Sequence, residues 1–187
     1  MKKLMLLFVG IFLFASCQDD VLPKPKAFLA LRYPKAEYAQ VHLNCPYTFQ
    51  KNEIAQIENS RDRVPCWINL NYPLLDGSVF LTYQQVHGNL DSLLTDAQKL
   101  PLEHTIKADY IQGDVYSNKA HNVYGMFYTI GGDAASQAEF YATDSVRHFI
   151  TGSLYFNHKP NFDSIYPAAQ YIKADMKQLM ETLRWKD

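Results

Sequence analysis

Cysteine is scarce in this chain, with three residues in 187, far below the density of a disulfide-stapled scaffold. There is no internal repeat, low-complexity segment or interdomain linker, so the chain reads as one domain with a tail. An excess of one charge is also missing. Eighteen Lys and Arg stand against 19 Asp and Glu, for a net charge of −1, and no basic block occurs, which argues against a nucleic-acid partner. Loss of Lys2 and Lys3 with a leader would take the mature chain to about −1 − 2 = −3. No apolar run is long enough to span a bilayer: Leu4–Phe14 would rise only ~16 Å as a helix, about half of a ~30 Å hydrocarbon core.

What is abundant is aromatic: 13 Tyr and 11 Phe, within a hydrophobic fraction of 48% that suffices for a core. The charged start Met1-Lys2-Lys3, the short apolar run and the small pair Ala15-Ser16 before Cys17 form a signal peptide over residues 1–16. The junction looks like a bacterial lipobox, where the cysteine thiol receives diacylglycerol and becomes the new N-terminus. Phe14 departs from the aliphatic residue usual three positions before the cysteine. Cys17 is thus the expected lipidation site and membrane anchor, since several acyl chains on one residue suffice for stable anchoring. Gln18 favours the outer membrane, on its periplasmic face, while Asp19-Asp20 also resemble surface-export signals and keep the cell surface as the alternative. Residues 17–26, with Pro23 and Pro25, make a short stiff tether, and residues 27–187 form the globular domain.

The patterning of that domain is α+β: an antiparallel sheet with packed helices, in an element order loosely like the Mog1/PsbP-like sandwich. Ala27–Tyr33 alternates as a first strand, and Pro46–Phe49 reads as a short edge strand. Cys66–Tyr72 pairs through an Asp76-Gly77 turn with Ser78–Tyr83. A helix from Asn89 as cap runs to Leu100, and His104–Tyr110 reads as a second helical piece before a strand at Ile111–Ser117. The centre is a meander. Val123–Ile130 has apolar residues on both faces. Gly131-Gly132-Asp133 turns the chain, Gln137–Thr143 alternates as a half-buried strand, and Arg147–Asn157 points Ile150, Leu154 and Phe156 inward. A long terminal helix, capped by Asp163, places Ile165, Ala169, Ile172, Met176, Leu179, Met180 and Leu183 on one face.

Catalytic patterns are weak. His42, His87, His104, His121, His148 and His158 join no recognised ligand motif. Asp144, Ser145 and His148 are nucleophilic-triad types crowded on one turn, with no G-x-S-x-G elbow, so turn and cap chemistry explains them better. Asp109, Asp114, Glu53 and Glu103 lack the spacing of paired acid–base work, and Gly131–Ser136 is a turn rather than an anion nest. No cofactor or metal is expected. With Cys17 acylated, Cys45 and Cys66 form the one intramolecular disulfide available. Export favours that pairing, which would pin Pro46–Phe49 against Cys66–Tyr72.

The segments KPKAFLALRYPKAEY, CPYTF, CWINLNYP, HTIKADYI, VYGMFYTIGGDAASQAEFYATDSVRHFITGSLYF and IKADMKQLMETLRWK resemble, in this order, the gliding-motility lipoproteins called GldD, over Lys24 to Lys186. The resemblance implies a Bacteroidota envelope lipoprotein tied to gliding motility and the type IX secretion machinery, working with other envelope proteins of that apparatus. It offers no catalytic residues. Two readings follow: a non-enzymatic structural subunit that docks on an envelope complex, or a small enzyme or ligand binder acting on peptidoglycan or glycans. For docking, the expected patch is aromatic, with Tyr124, Tyr128, Tyr141 and Tyr155 around the Gly131–Ser136 turn.

Overall fold

The computed structural model describes residues 32–60, 64–158 and 161–186. Eleven strands fall within them: β1 (Tyr38–Gln40), β2 (Tyr47–Thr48), β3 (Gln50–Asn52), β4 (Gln56–Asn59), β5 (Ile68–Tyr72), β6 (Gly77–Gln85), β7 (Ala108–Asn118), β8 (Val123–Gly132), β9 (Ser136–Thr143), β10 (His148–Phe156) and β11 (Arg184–Trp185). Helix α1 covers Leu90–Lys99, a 3-10 turn follows at Leu100–His104, and helix α2 covers Phe162–Thr182. Seven strands make one antiparallel sheet in the order β4-β5-β6-β10-β9-β8-β7, while β1 pairs with β3 and β11 with β2 in two small ladders. The α+β class is as expected.

The two faces of the sheet are covered by different material, one of them only in part. On one face α2 lays Ala169, Ile172, Met176, Leu179 and Met180 against Leu70, Val79, Phe127, Phe140 and Leu154, with Tyr47 and Phe49 filling the flank. On the other, α1 places Leu93, Leu90 and Ala97 over Tyr141, Phe149 and Met126. Strand β9 lies between them and is buried at every residue. The alternation Gln137, Glu139, Tyr141 had suggested a half-buried strand. Instead the polar side of β9 lies under the covering layer of α1 and the 3-10 turn. Gly125 is required beside it, because a Cβ there would collide with the Tyr141 carbonyl across the ladder.

Several local expectations change. The strand expected at Ala27–Tyr33 lies outside the described residues except for Arg32 and Tyr33, which are not in a strand. His104–Tyr110 is not helical beyond His104, and β7 already begins at Ala108. Asn89 does not cap α1 with its side chain; its Oδ1 accepts the His87 N–H at 2.8 Å. Asp163 lies inside the first turn of α2 rather than at its cap. The N–H of Phe162 donates instead to Asp133 Oδ1, 2.9 Å away, so the cap comes from the β8–β9 turn. In the β5–β6 hairpin the left-handed residue is Asp76, with φ of 49°, and Gly77 already belongs to β6.

Candidate functional site

The sequence-expected aromatic patch divides into unlike environments. Tyr141 is only 7% exposed, stacked on Phe149 at 5.8 Å, and its Oη accepts from Gln98 of α1. It is a packing residue, and its place in the expected surface is corrected: α1 lands on this part of the sheet. The Gly131–Ser136 turn is also closed, since Gln137 Nε2 donates inward to the Gly132 and Ala134 carbonyls at 3.1 Å, and Asp133 is engaged with α2. Tyr128 is half-buried beside Met126 at the margin of α1. Tyr124 lines a cleft of about 550 Å³ at one end of the sheet with His121, Asp144, Arg184 and Trp185.

Tyr155 stands elsewhere. Pairing registers put Tyr155, Ser78 and Asn71 on one face, as they do Phe80, Asn69 and Glu58. It is the face that α1 covers further along, but neither α1 nor the 3-10 turn extends over β4, β5 and β6. The surface there is polar and knitted sideways: Asn71 Nδ2 donates to Glu58 at 3.2 Å, Ser78 Oγ to Asn71 at 3.3 Å, and the Thr82 and Thr151 hydroxyls lie 2.6 Å apart. Above this ground rises Phe80, 41% exposed, edge-on to the Tyr155 ring at 5.7 Å. A large aromatic kept in water on a polar sheet is a hot-spot arrangement.

At the border of that surface lies an acid–imidazole pair. Glu139 sits opposite Ser153 in the β9–β10 ladder and is 3% exposed. His104, from the 3-10 turn, brings Nε2 to 3.1 Å from Glu139 Oε1. Burial pushes the carboxyl up and the His104 partner opposes it, with a net upward shift. Glu139 Oε2 and the neighbouring Gln137 Oε1 have no hydrogen-bond partner among the described residues. Burial, then the Glu139 and Glu103 charges, raise the Tyr155 hydroxyl. The nearby Ser136 hydroxyl donates to the Ala138 carbonyl, so it is not poised as a nucleophile.

Asp144, Ser145 and His148 do not form a triad. Asp144 Oδ1 accepts the N–H groups of Val146, Arg147 and His148 at 2.8–2.9 Å. Burial pushes its carboxyl up, those three donors outweigh it, and the net shift is downward. Ser145 takes the left-handed conformation, with φ of 67°, and His148 Nδ1 lies 2.8 Å from Tyr83 Oη. Among the described residues no group of three or more His, Cys, Asp or Glu could hold a metal, and no helix is long and apolar enough to cross a membrane.

Cys17 lies outside the described residues. Cys45 and Cys66 are joined by a disulfide, with Cα atoms 5.5 Å apart, and Tyr47 Oη donates to the Cys66 carbonyl at 2.8 Å, so β2 is held beside the start of β5. The sequence reading missed Phe80 and Glu139. Glu139 had a visible signal, the one charged residue in a strand of mostly apolar and neutral residues. Phe80 had none, because its exposure is decided by where α1 stops. Compared with known sequences, residues 18–185 match the family described as gliding motility lipoprotein GldD. No curated protein matches the chain significantly.

Proposed function

Because the chain belongs to the gliding motility lipoprotein GldD family, we propose that it is an outer-membrane lipoprotein, anchored through Cys17, and an accessory subunit of the gliding and type IX secretion apparatus. On this reading residues 1–16 are removed, 17–26 tether, and 27–187 form a domain on the periplasmic side that docks against another envelope protein. The uncovered polar half of the sheet, with Phe80 and Tyr155 at its centre, carries the reading. It combines an exposed aromatic anchor with hydrogen-bonded polar surroundings, the composition of an interface core and rim.

Phe80→Ala and Tyr155→Ala are expected to abolish gliding or secretion, and co-purification with partners of the apparatus, while melting temperature and membrane fractionation stay near the parent. Full motility in the double variant would overturn the docking surface. The buried Glu139–His104 pair at its border favours a second reading, binding or turnover of a glycan or peptidoglycan fragment. The two separate on Glu139→Gln, which keeps the shape of the surface. Docking predicts unchanged motility, whereas a site working through the carboxylate predicts loss equal to that of the aromatic variants.

A further inference from the structure

We propose that β7 is a self-pairing edge. Two copies of this chain join β7 to β7, antiparallel, about a two-fold axis at Gly113, so that their seven-stranded sheets become continuous. The proposal is independent of the docking surface above, which lies at the opposite end of the sheet.

The two edges differ. Strand β4 is four residues long, too short to template much. Strand β7 is eleven residues long and hydrogen-bonds to β8 alone among the described strands, leaving a full row of main-chain donors and acceptors on its outer side. The devices that blunt an edge are sparse there. Ala108–Asn118 holds no Lys, Arg or Pro, and its one irregularity lies between Ala108 and Tyr110, so Ile111–Asn118 continues in regular register. Val115 is 80% exposed on it. Beside it, Val115 and Tyr116 border a groove of about 160 Å³ floored by Phe127 and Met180.

The sequence of β7 is complementary to its own reverse. With the axis at Gly113, Val115 faces Ile111, Tyr116 faces Tyr110 and Asp114 faces Gln112. Apolar meets apolar, ring meets ring, and the Asp114 carboxylate meets a neutral amide. The amide–carboxylate match already exists within one strand, where Gln112 Nε2 donates to Asp114 Oδ1 at 3.0 Å, so the axis repeats a bond these side chains already make. Moving the axis one residue onward sets Asp114 against its own copy, and moving it one residue back sets Asp114 against Tyr110. Like charges directly opposite destabilise a ladder. Charge thus opposes the onward register, the backward one loses both the amide–carboxylate and the ring–ring match, and the self-match points to one occupant, a second copy.

The test uses the full lipidated chain in its own envelope, with two differently tagged copies co-expressed, one carrying Ile111→Cys and the other Val115→Cys. A mixed disulfide is expected from the pair and none from either variant alone, since each position lies four residues from its own copy, about 14 Å along the ladder. Adding Gln112→Glu to both copies should cut the mixed disulfide about fivefold or more by opposing carboxylates, while Gln112→Lys should leave or raise it. Absence of the mixed disulfide, equal yields from the single variants, equal responses to the two Gln112 substitutions, or capture of a different protein at these cysteines would each overturn the pairing.

Discussion

Lys173 sits on α2, 4% exposed, and its Nζ has no hydrogen-bond partner among the described residues. Burial, with the Lys177 charge adding to it, lowers its pKa from 10.5 to about 8. Between about pH 8 and 10.5 the unfolded chain holds a proton that the folded chain has released, so this residue makes stability rise with pH across that window. Below it the fold must bury an ammonium. Lys173→Met is expected to stabilise the protein by about 1–2 kcal/mol at pH 7, and to flatten that rise in a pH series of thermal melts. A lower melting temperature at pH 7 would refute it. Two positions along, Asp175 is buried as well, but it accepts from Tyr38 Oη at 2.8 Å and Asn52 Nδ2 at 2.9 Å, which tie the β1–β3 ladder to α2. The apolar stripe of this helix was legible from spacing alone. Lys173 and Asp175 flank that stripe and were not, because residue type assigns them to solvent and only the material packed around them says otherwise.

Among the elements, the legible ones carry their signal within themselves: the meander β8–β9–β10, the β5–β6 hairpin and both helices. Strands β1, β3, β4 and β11 are two to four residues long and exist only by pairing, so no window of sequence could announce them. The α2 cap is nonlocal in the same way, since its acceptor Asp133 precedes the helix by 29 residues. The Cys45–Cys66 bridge spans 21 residues and locks one such short element, β2, in place. In the chain-entropy model a loop of this size contributes about 3 kcal/mol. Replacing both cysteines by Ser should lower the urea midpoint correspondingly. A shift below about 1 kcal/mol would mean that the Tyr47 hydroxyl and the core around it hold the segment without the bridge.

At the scale of the whole molecule, sequence gave the class and the family resemblance, but not the unequal coverage of the sheet. Which half stays open depends on α1 being ten residues long and lying over β8–β10, a tertiary outcome. The placement proposed for the molecule predicts that Cys17→Ala yields unacylated protein with an uncleaved or aberrantly cleaved leader. Intact mass checks this, and a normally cleaved product carrying an unmodified Cys17 in the parent protein would refute it.

The small ladder of β2 with β11 has a consequence in time. Lys186 N donates to the Pro46 carbonyl and Lys186 Nζ to the Leu43 carbonyl, both at 2.9 Å, so residues near the start of the described chain are fastened by the last described strand. A polypeptide exported amino end first would therefore present β2 long before its partner arrives. Contacts of such wide sequence separation close late, after their loop entropy has been met. Until then, the segment around Cys45 and Cys66 must wait incomplete, and its thiols stay open to oxidation by whatever the compartment supplies. The clasp makes maturation of the amino-terminal region contingent on arrival of the carboxyl end, so a truncated or stalled chain is marked by an unfinished front rather than a missing tail.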